Sequence, residues 1–97
     1  MRNIQHIQPS IDFGFGATQK REETYTPVTL WLSTIYNTSA YTFEVLFPPS
    51  GGSLQKISDY EYNITYVDSG TYEITMAVTQ KATGIRLVSD PVTLTIY

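Results

Sequence analysis

Between Thr71 and Thr79 the chain alternates without interruption: Tyr72, Ile74, Met76 and Val78 are interleaved with Thr71, Glu73, Thr75, Ala77 and Thr79. Successive side chains of an extended strand point to opposite faces, so this run presents one apolar face and one mostly polar face. A sheet with one buried side satisfies that pattern. A helix would scatter the same residues around its circumference.

The pattern recurs along the chain. Val28, Leu30 and Leu32 alternate with Thr29, Trp31 and Ser33, and Tyr41, Phe43, Val45 and Phe47 alternate with Thr42, Glu44 and Leu46. Tyr60, Tyr62, Ile64 and Tyr66 alternate with Glu61, Asn63 and Thr65, and Val92, Leu94 and Ile96 follow further on. Turn chemistry separates these runs at Asn37-Thr38-Ser39, Asp68-Ser69-Gly70 and Lys81-Ala82-Thr83-Gly84. Pro48 to Ser53 reads as a loop, because two consecutive prolines cannot donate to a ladder and two glycines follow. Pro91 interrupts the return strand that starts at Ile85, which predicts an edge position or a bulge there. No segment has a 3.6-residue period. About seven strands at this spacing predict an all-β fold, an antiparallel β-sandwich of residues 24–97. Its core is expected from Val28, Leu30, Leu32, Phe43, Val45, Ile64, Tyr72, Ile74, Met76, Val78, Leu94 and Ile96.

Residues 1–23 read differently, as an extended N-terminal arm or edge strand. Ile4, Ile7, Ile11, Phe13 and Phe15 are spaced apolar residues among Gln, Asn, Gly and Ser. Phe13-Gly14-Phe15-Gly16 places both rings on one face if the segment is extended. It lacks the spacing of a phosphate loop. Spaced apolar side chains on an arm either cap the core or dock on a neighbouring subunit, and both readings stand. Trp31 lies on the face opposite Leu30 and Leu32. It is either an exposed anchor for a partner or a side chain packed beneath the arm. Tyr60, Tyr62 and Tyr66 face one way and are expected to pack inside the sheet, with a stacking platform for sugars or bases as the alternative.

Composition narrows the function classes. The net charge is −3, and the longest basic run, Lys20-Arg21, is followed at once by Glu22-Glu23. Counterion-driven binding to nucleic acid needs a basic stripe, so no nucleic-acid partner is expected. There is no cysteine, hence no disulfide and no thiolate ligand or nucleophile. No apolar run approaches the length of a membrane span, so no membrane insertion is expected. Met1 to Ser10 carries no apolar signal core, so either the protein is made and used without export or it is an excised module with an added Met1. The sequons at Asn37 and Asn63 are accordingly read as incidental. His6 is the single histidine, and nothing nearby orients it as a general base. Asp59, Glu61 and Asp68 form no clustered Asp/Asn loop of the kind calcium requires. No catalytic residue, metal or cofactor is expected.

The segment Tyr66-Val67-Asp68-Ser69-Gly70-Thr71-Tyr72-Glu73-Ile74-Thr75-Met76-Ala77-Val78, with Tyr41-Thr42-Phe43-Glu44-Val45 before it, resembles PKD-type and related immunoglobulin-like domains over residues 24–97. The resemblance implies an immunoglobulin-like sandwich in which Asp68, Gly70 and Tyr72 are the structural motif. It implies that Gly70 turns the chain, that the Tyr72 hydroxyl bonds to backbone at the corner, and that Ile74 stands where a cysteine would otherwise sit. Phe47-Pro48-Pro49 replaces the glycine-rich turn of PKD domains, and Phe43 the middle-strand tryptophan. A lone sandwich of this kind is also similar to small accessory and head-decoration proteins of tailed bacteriophages. What this implies is a non-enzymatic structural protein of the virion, made in the host cytoplasm, with a capsid or sister subunit as partner. Ile4, Ile7, Ile11, Phe13, Phe15 and Trp31 would then make the contact, and a homo-oligomer is conceivable. The alternative is a carbohydrate-binding or adhesion module of a bacterial cell surface, cut from a larger protein.

Overall fold

A computed structural model describes residues 9–33 and 36–97. The strands are β1 (Ile11–Asp12), β2 (Gln19–Glu22), β3 (Val28–Leu32), β4 (Tyr41–Leu46), β5 (Gly52–Lys56), β6 (Glu61–Tyr66), β7 (Gly70–Gln80), β8 (Arg86–Val88) and β9 (Val92–Ile96). They form two sheets, and no helix occurs among the described residues. One sheet runs β1-β3-β6-β5. The other runs β2-β9-β7-β4, with β8 on β7. The arrangement is an all-β sandwich, and its core is where the alternation places it. Val28, Leu30, Leu32, Ile64, Ile74, Met76, Val78, Leu94 and Ile96 are buried, with Val45. Phe43 and Tyr72 are half-buried and pack against that core. Tyr62 and Tyr66 are buried with it and Tyr60 packs on it, so the three tyrosines face inward.

Several local details depart from the sequence expectation. Gly52 and Ser53 are not loop but open β5, whose single inward apolar residue, Leu54, lies opposite Ile64. β2, in the N-terminal segment, pairs parallel with β9 from Gln19 opposite Thr93 to Glu22 opposite Ile96, a direction that the sequence does not indicate. Nothing in Gln-Lys-Arg-Glu alternates in hydrophobicity, because this strand is held by its main chain rather than by burial. Residues 11–12 and 19–22 thus contribute an edge strand to each sheet, and Ile11 is a core residue. Gly70 does have the positive φ expected of it, at 157°, an angle that L side chains rarely adopt, and it opens β7.

The return strand is broken as Pro91 predicts. β9 pairs with β7 with Ile74 opposite Val92, while β8 pairs with Ala77 opposite Val88. Three residues, Ser89 to Pro91, therefore stand against Thr75 and Met76, which is a bulge. Ser89 repairs the ladder there. Its N–H donates to the Met76 carbonyl at 2.9 Å, and its Oγ accepts from the Met76 N–H at 2.9 Å.

Aromatic pairs join the sheets at both ends. At one end the Tyr66 ring of β6 stacks on the Tyr72 ring of β7, with centroids 3.6 Å apart and planes 9° from parallel. Both hydroxyls donate to main chain, Tyr66 to the Pro48 carbonyl and Tyr72 to that of Asp68, each at 2.8 Å. At the other end Phe43 of β4 meets Tyr60 at 5.4 Å, and the Tyr60 hydroxyl donates to the Tyr36 carbonyl. The Tyr66 stack requires Gly52 at the start of β5, and Gly51 makes the turn before it. Gly51 has φ 72°, and a Cβ on Gly52 would lie 2.6 Å from the Tyr66 ring.

Two outcomes follow from the stack. Gly52→Ala forces the ring aside and is expected to cost about 1–3 kcal/mol, read as a lower urea midpoint. Burial, and secondarily Tyr72, push the Tyr66 phenol up to about 12 from its usual 10.0. A raised folded-state pKa stabilises while the phenol is neutral, so this contribution is complete below about pH 10 and is lost as pH rises towards 12. Urea midpoints should be flat up to about pH 10 and fall above it. Tyr66→Phe should lower the neutral-pH midpoint and flatten the alkaline fall; an equally steep fall in both proteins would assign it to other groups.

Candidate binding surface

The outer face of the β1-β3-β6-β5 sheet is set by register. Trp31 lies on it, opposite Asp12 on one side and Glu61 on the other. Thr29 and Asn63 are neighbours on the same face and hydrogen-bond to each other at 3.1 Å. Trp31 is 44% exposed. Its indole N–H has no acceptor among the described residues.

Beside it the chain leaves β1 in a tight loop. The Phe13 N–H donates to the Ala17 carbonyl and the Ala17 N–H to that of Gly14, while the Gly14 N–H donates to Asp12 Oδ1. Gly14, Phe15 and Gly16 all have positive φ, at 111°, 53° and 78°. Glycine adopts such angles readily, but for Phe15 the left-handed conformation is uncommon and costs energy. The expectation that both Phe rings share a face therefore fails, because the segment is not extended. Phe13 turns inward onto the core, and Phe15 projects into solvent at 112% of its reference exposure.

Gly14 lies against the pyrrole edge of Trp31, where a Cβ would sit 3.7 Å from Nε1. Trp31 is thus partly packed beneath the N-terminal segment and partly open. Asp12, Trp31 and Glu61 share one outer face, two carboxylates beside an indole donor without an acceptor among the described residues, and Phe15 projects from the loop that passes Trp31. A surface of this chemistry takes up apolar and cationic side chains.

The other candidates are dispersed. Ile4, Ile7 and His6 lie outside the described residues. Ile11 is 4% exposed, so it belongs to the core and presents nothing to a partner. Asp59 pairs with Lys56 at 3.0 Å on the surface, Glu61 lies beside Trp31, and Asp68 holds the corner under Tyr72. Among the described residues no three His, Cys, Asp or Glu side chains gather as a metal site. No described helix is long and apolar enough to cross a membrane. Scans against protein-family models and curated proteins find no match.

Sequence reasoning singled out Trp31 and Phe15 but missed Asp12 and Glu61 as neighbours of Trp31. Cross-strand register brings these together, and no pattern within one strand carries that information. As Phe15 buries nothing, Phe15→Ser is expected to leave the urea midpoint within about 0.5 kcal/mol of wild type or to raise stability; a larger loss would mean that the ring packs.

Proposed function

We propose that this chain is a non-enzymatic protein-binding module with an immunoglobulin-like sandwich, and that it serves as an accessory or decoration protein of a bacteriophage virion. The strand order supports the immunoglobulin-like reading. β1-β3-β6-β5 corresponds to strands A, B, E and D of that fold, and β4, β7 and β9 correspond to C, F and G. The hydroxyl of Tyr72, near the start of β7, reaches back to the carbonyl of Asp68 as a tyrosine corner does.

The observation that carries the binding reading is Phe15. A fully exposed phenylalanine held in an uncommon backbone conformation beside a half-exposed tryptophan is unfavourable in an isolated domain. Burial against a partner offsets that cost. A protein partner suits this surface better than a sugar, because a projecting ring inserts into a pocket whereas sugars stack on flat, fixed aromatic faces.

The test has two arms. Phage particles from a strain encoding the chain are purified and analysed by mass spectrometry, with the chain expected on the particle. Recovery from the cell envelope and not from particles would overturn the virion reading in favour of a surface adhesion module. On the particles, Phe15→Ser and Trp31→Ser are each expected to weaken attachment at least about tenfold. Deleting residues 1–16 is a poor substitute, since it removes β1 and the core residue Ile11 as well.

A further inference from the structure

The sandwich has several strand edges, and they are guarded unequally. An unpaired edge offers free N–H and C=O groups to any other strand, and proteins blunt such edges with shortness, charge or irregularity. β1 has two residues and β8 three. β2 reads Gln-Lys-Arg-Glu, and β5 reads Gly-Ser-Leu-Gln-Lys. β4, at the far end of its sheet's strand order from β2, is six residues of Tyr-Thr-Phe-Glu-Val-Leu with a single charge and no proline or bulge.

The hydrogen-bond phase of β4 shows what that edge exposes. The Lys81 N–H donates to the Ala40 carbonyl, so residues 40 and 81 face each other as a bonded pair. Bonded pairs recur at every second residue of an antiparallel ladder, which assigns Thr42, Glu44 and Leu46 to the bonds with β7. The main-chain groups of Phe43 and Val45 therefore point away from β7, where no strand lies. The Tyr41 N–H is already taken by the Asn37 carbonyl.

We propose that β4 pairs antiparallel with β4 of a second copy of this chain, about a two-fold axis through Val45, giving a dimer with one continuous sheet. Three features select the second copy and this register. Val45 exchanges both bonds with its symmetry mate, and Phe43 pairs with Phe47, so every group used is free. The half-buried rings of Phe43 and Phe47 meet across the axis and cover each other. On the outer face Glu44 stands opposite Leu46, whereas an axis through Glu44 would set two carboxylates face to face. An axis through Phe43 would call on the occupied Tyr41 N–H.

The full chain is tested by sedimentation over a wide concentration range, with folding checked by circular dichroism. Wild type is expected to dimerise reversibly. Leu46→Glu sets the introduced carboxylate opposite Glu44 of the mate, twice per dimer, and should weaken association about tenfold. Adding Glu44→Lys to Leu46→Glu makes both contacts oppositely charged and should restore the dimer, with Arg86→Gln included in every variant and in the reference protein because Arg86 pairs with Glu44 at 3.5 Å. As the chain lacks cysteine, a spin label on Glu44→Cys reports the axis directly, with strong dipolar broadening expected there and none from Gln55→Cys. A chain that stays monomeric throughout overturns the proposal and leaves the edge to a different partner. A dimer indifferent to Leu46→Glu, or unbroadened at position 44, also overturns it.

Discussion

No disulfide ties the two sheets, so the rest of the structure depends on side chains that interlock across the gap, and the Tyr66–Tyr72 stack is the closest ring pair among the described residues. Each ring comes from a different sheet, and each hydroxyl is anchored to main chain near the same end of the sandwich. Stacked rings give dispersion and apolar burial, and the two hydrogen bonds fix the angle at which they meet. With Phe43 and Tyr60 at the far end, the apolar layer of Leu30, Ile64, Ile74 and Leu94 is closed by aromatic pairs at both ends. In a domain without disulfides, this is how sheet spacing and register are held.

The strands legible in the sequence are those whose packing is one-sided. β3, β6 and β9 declare themselves because a buried face and a wetter face alternate residue by residue, and β7 does so up to Met76, after which Ala77 is buried as well. β2 and β5 do not, since their order comes from main-chain pairing at sheet edges and their side chains record almost none of it. The bulge could be placed near Pro91 because proline lacks a donor. Ser89 could not be read as its repair, because a serine in a loop looks the same whether its oxygen meets water or a buried N–H. The Phe-Gly-Phe-Gly segment misled for a related reason. Glycine permits an extended chain and a tight reversal equally, and the choice was made by hydrogen bonds to Asp12 and Ala17 that depend on the fold.

The binding surface was legible only as single residues. Alternation puts Trp31 on the outer face, but its company depends on which strands lie alongside and in what register. The same holds at the β4 edge. The composition of β4 is evident from the sequence, yet the direction of its hydrogen bonds emerges only once β7 is in place. The aromatic loop follows β1, an edge of one sheet, and the open edge is β4, at the far end of the other sheet's strand order from β2.

The parallel ladder between β2 and β9 also decides how the domain bears load. A pull exerted through the chain before β2 and after β9 draws the two strands past each other along their length. All four residue pairs from Gln19–Thr93 to Glu22–Ile96 then resist together, whereas an antiparallel hairpin pulled from its open end would unzip one pair at a time. A strand with almost no buried side chain thus works as a shear clamp between the N-terminal segment and the last strand.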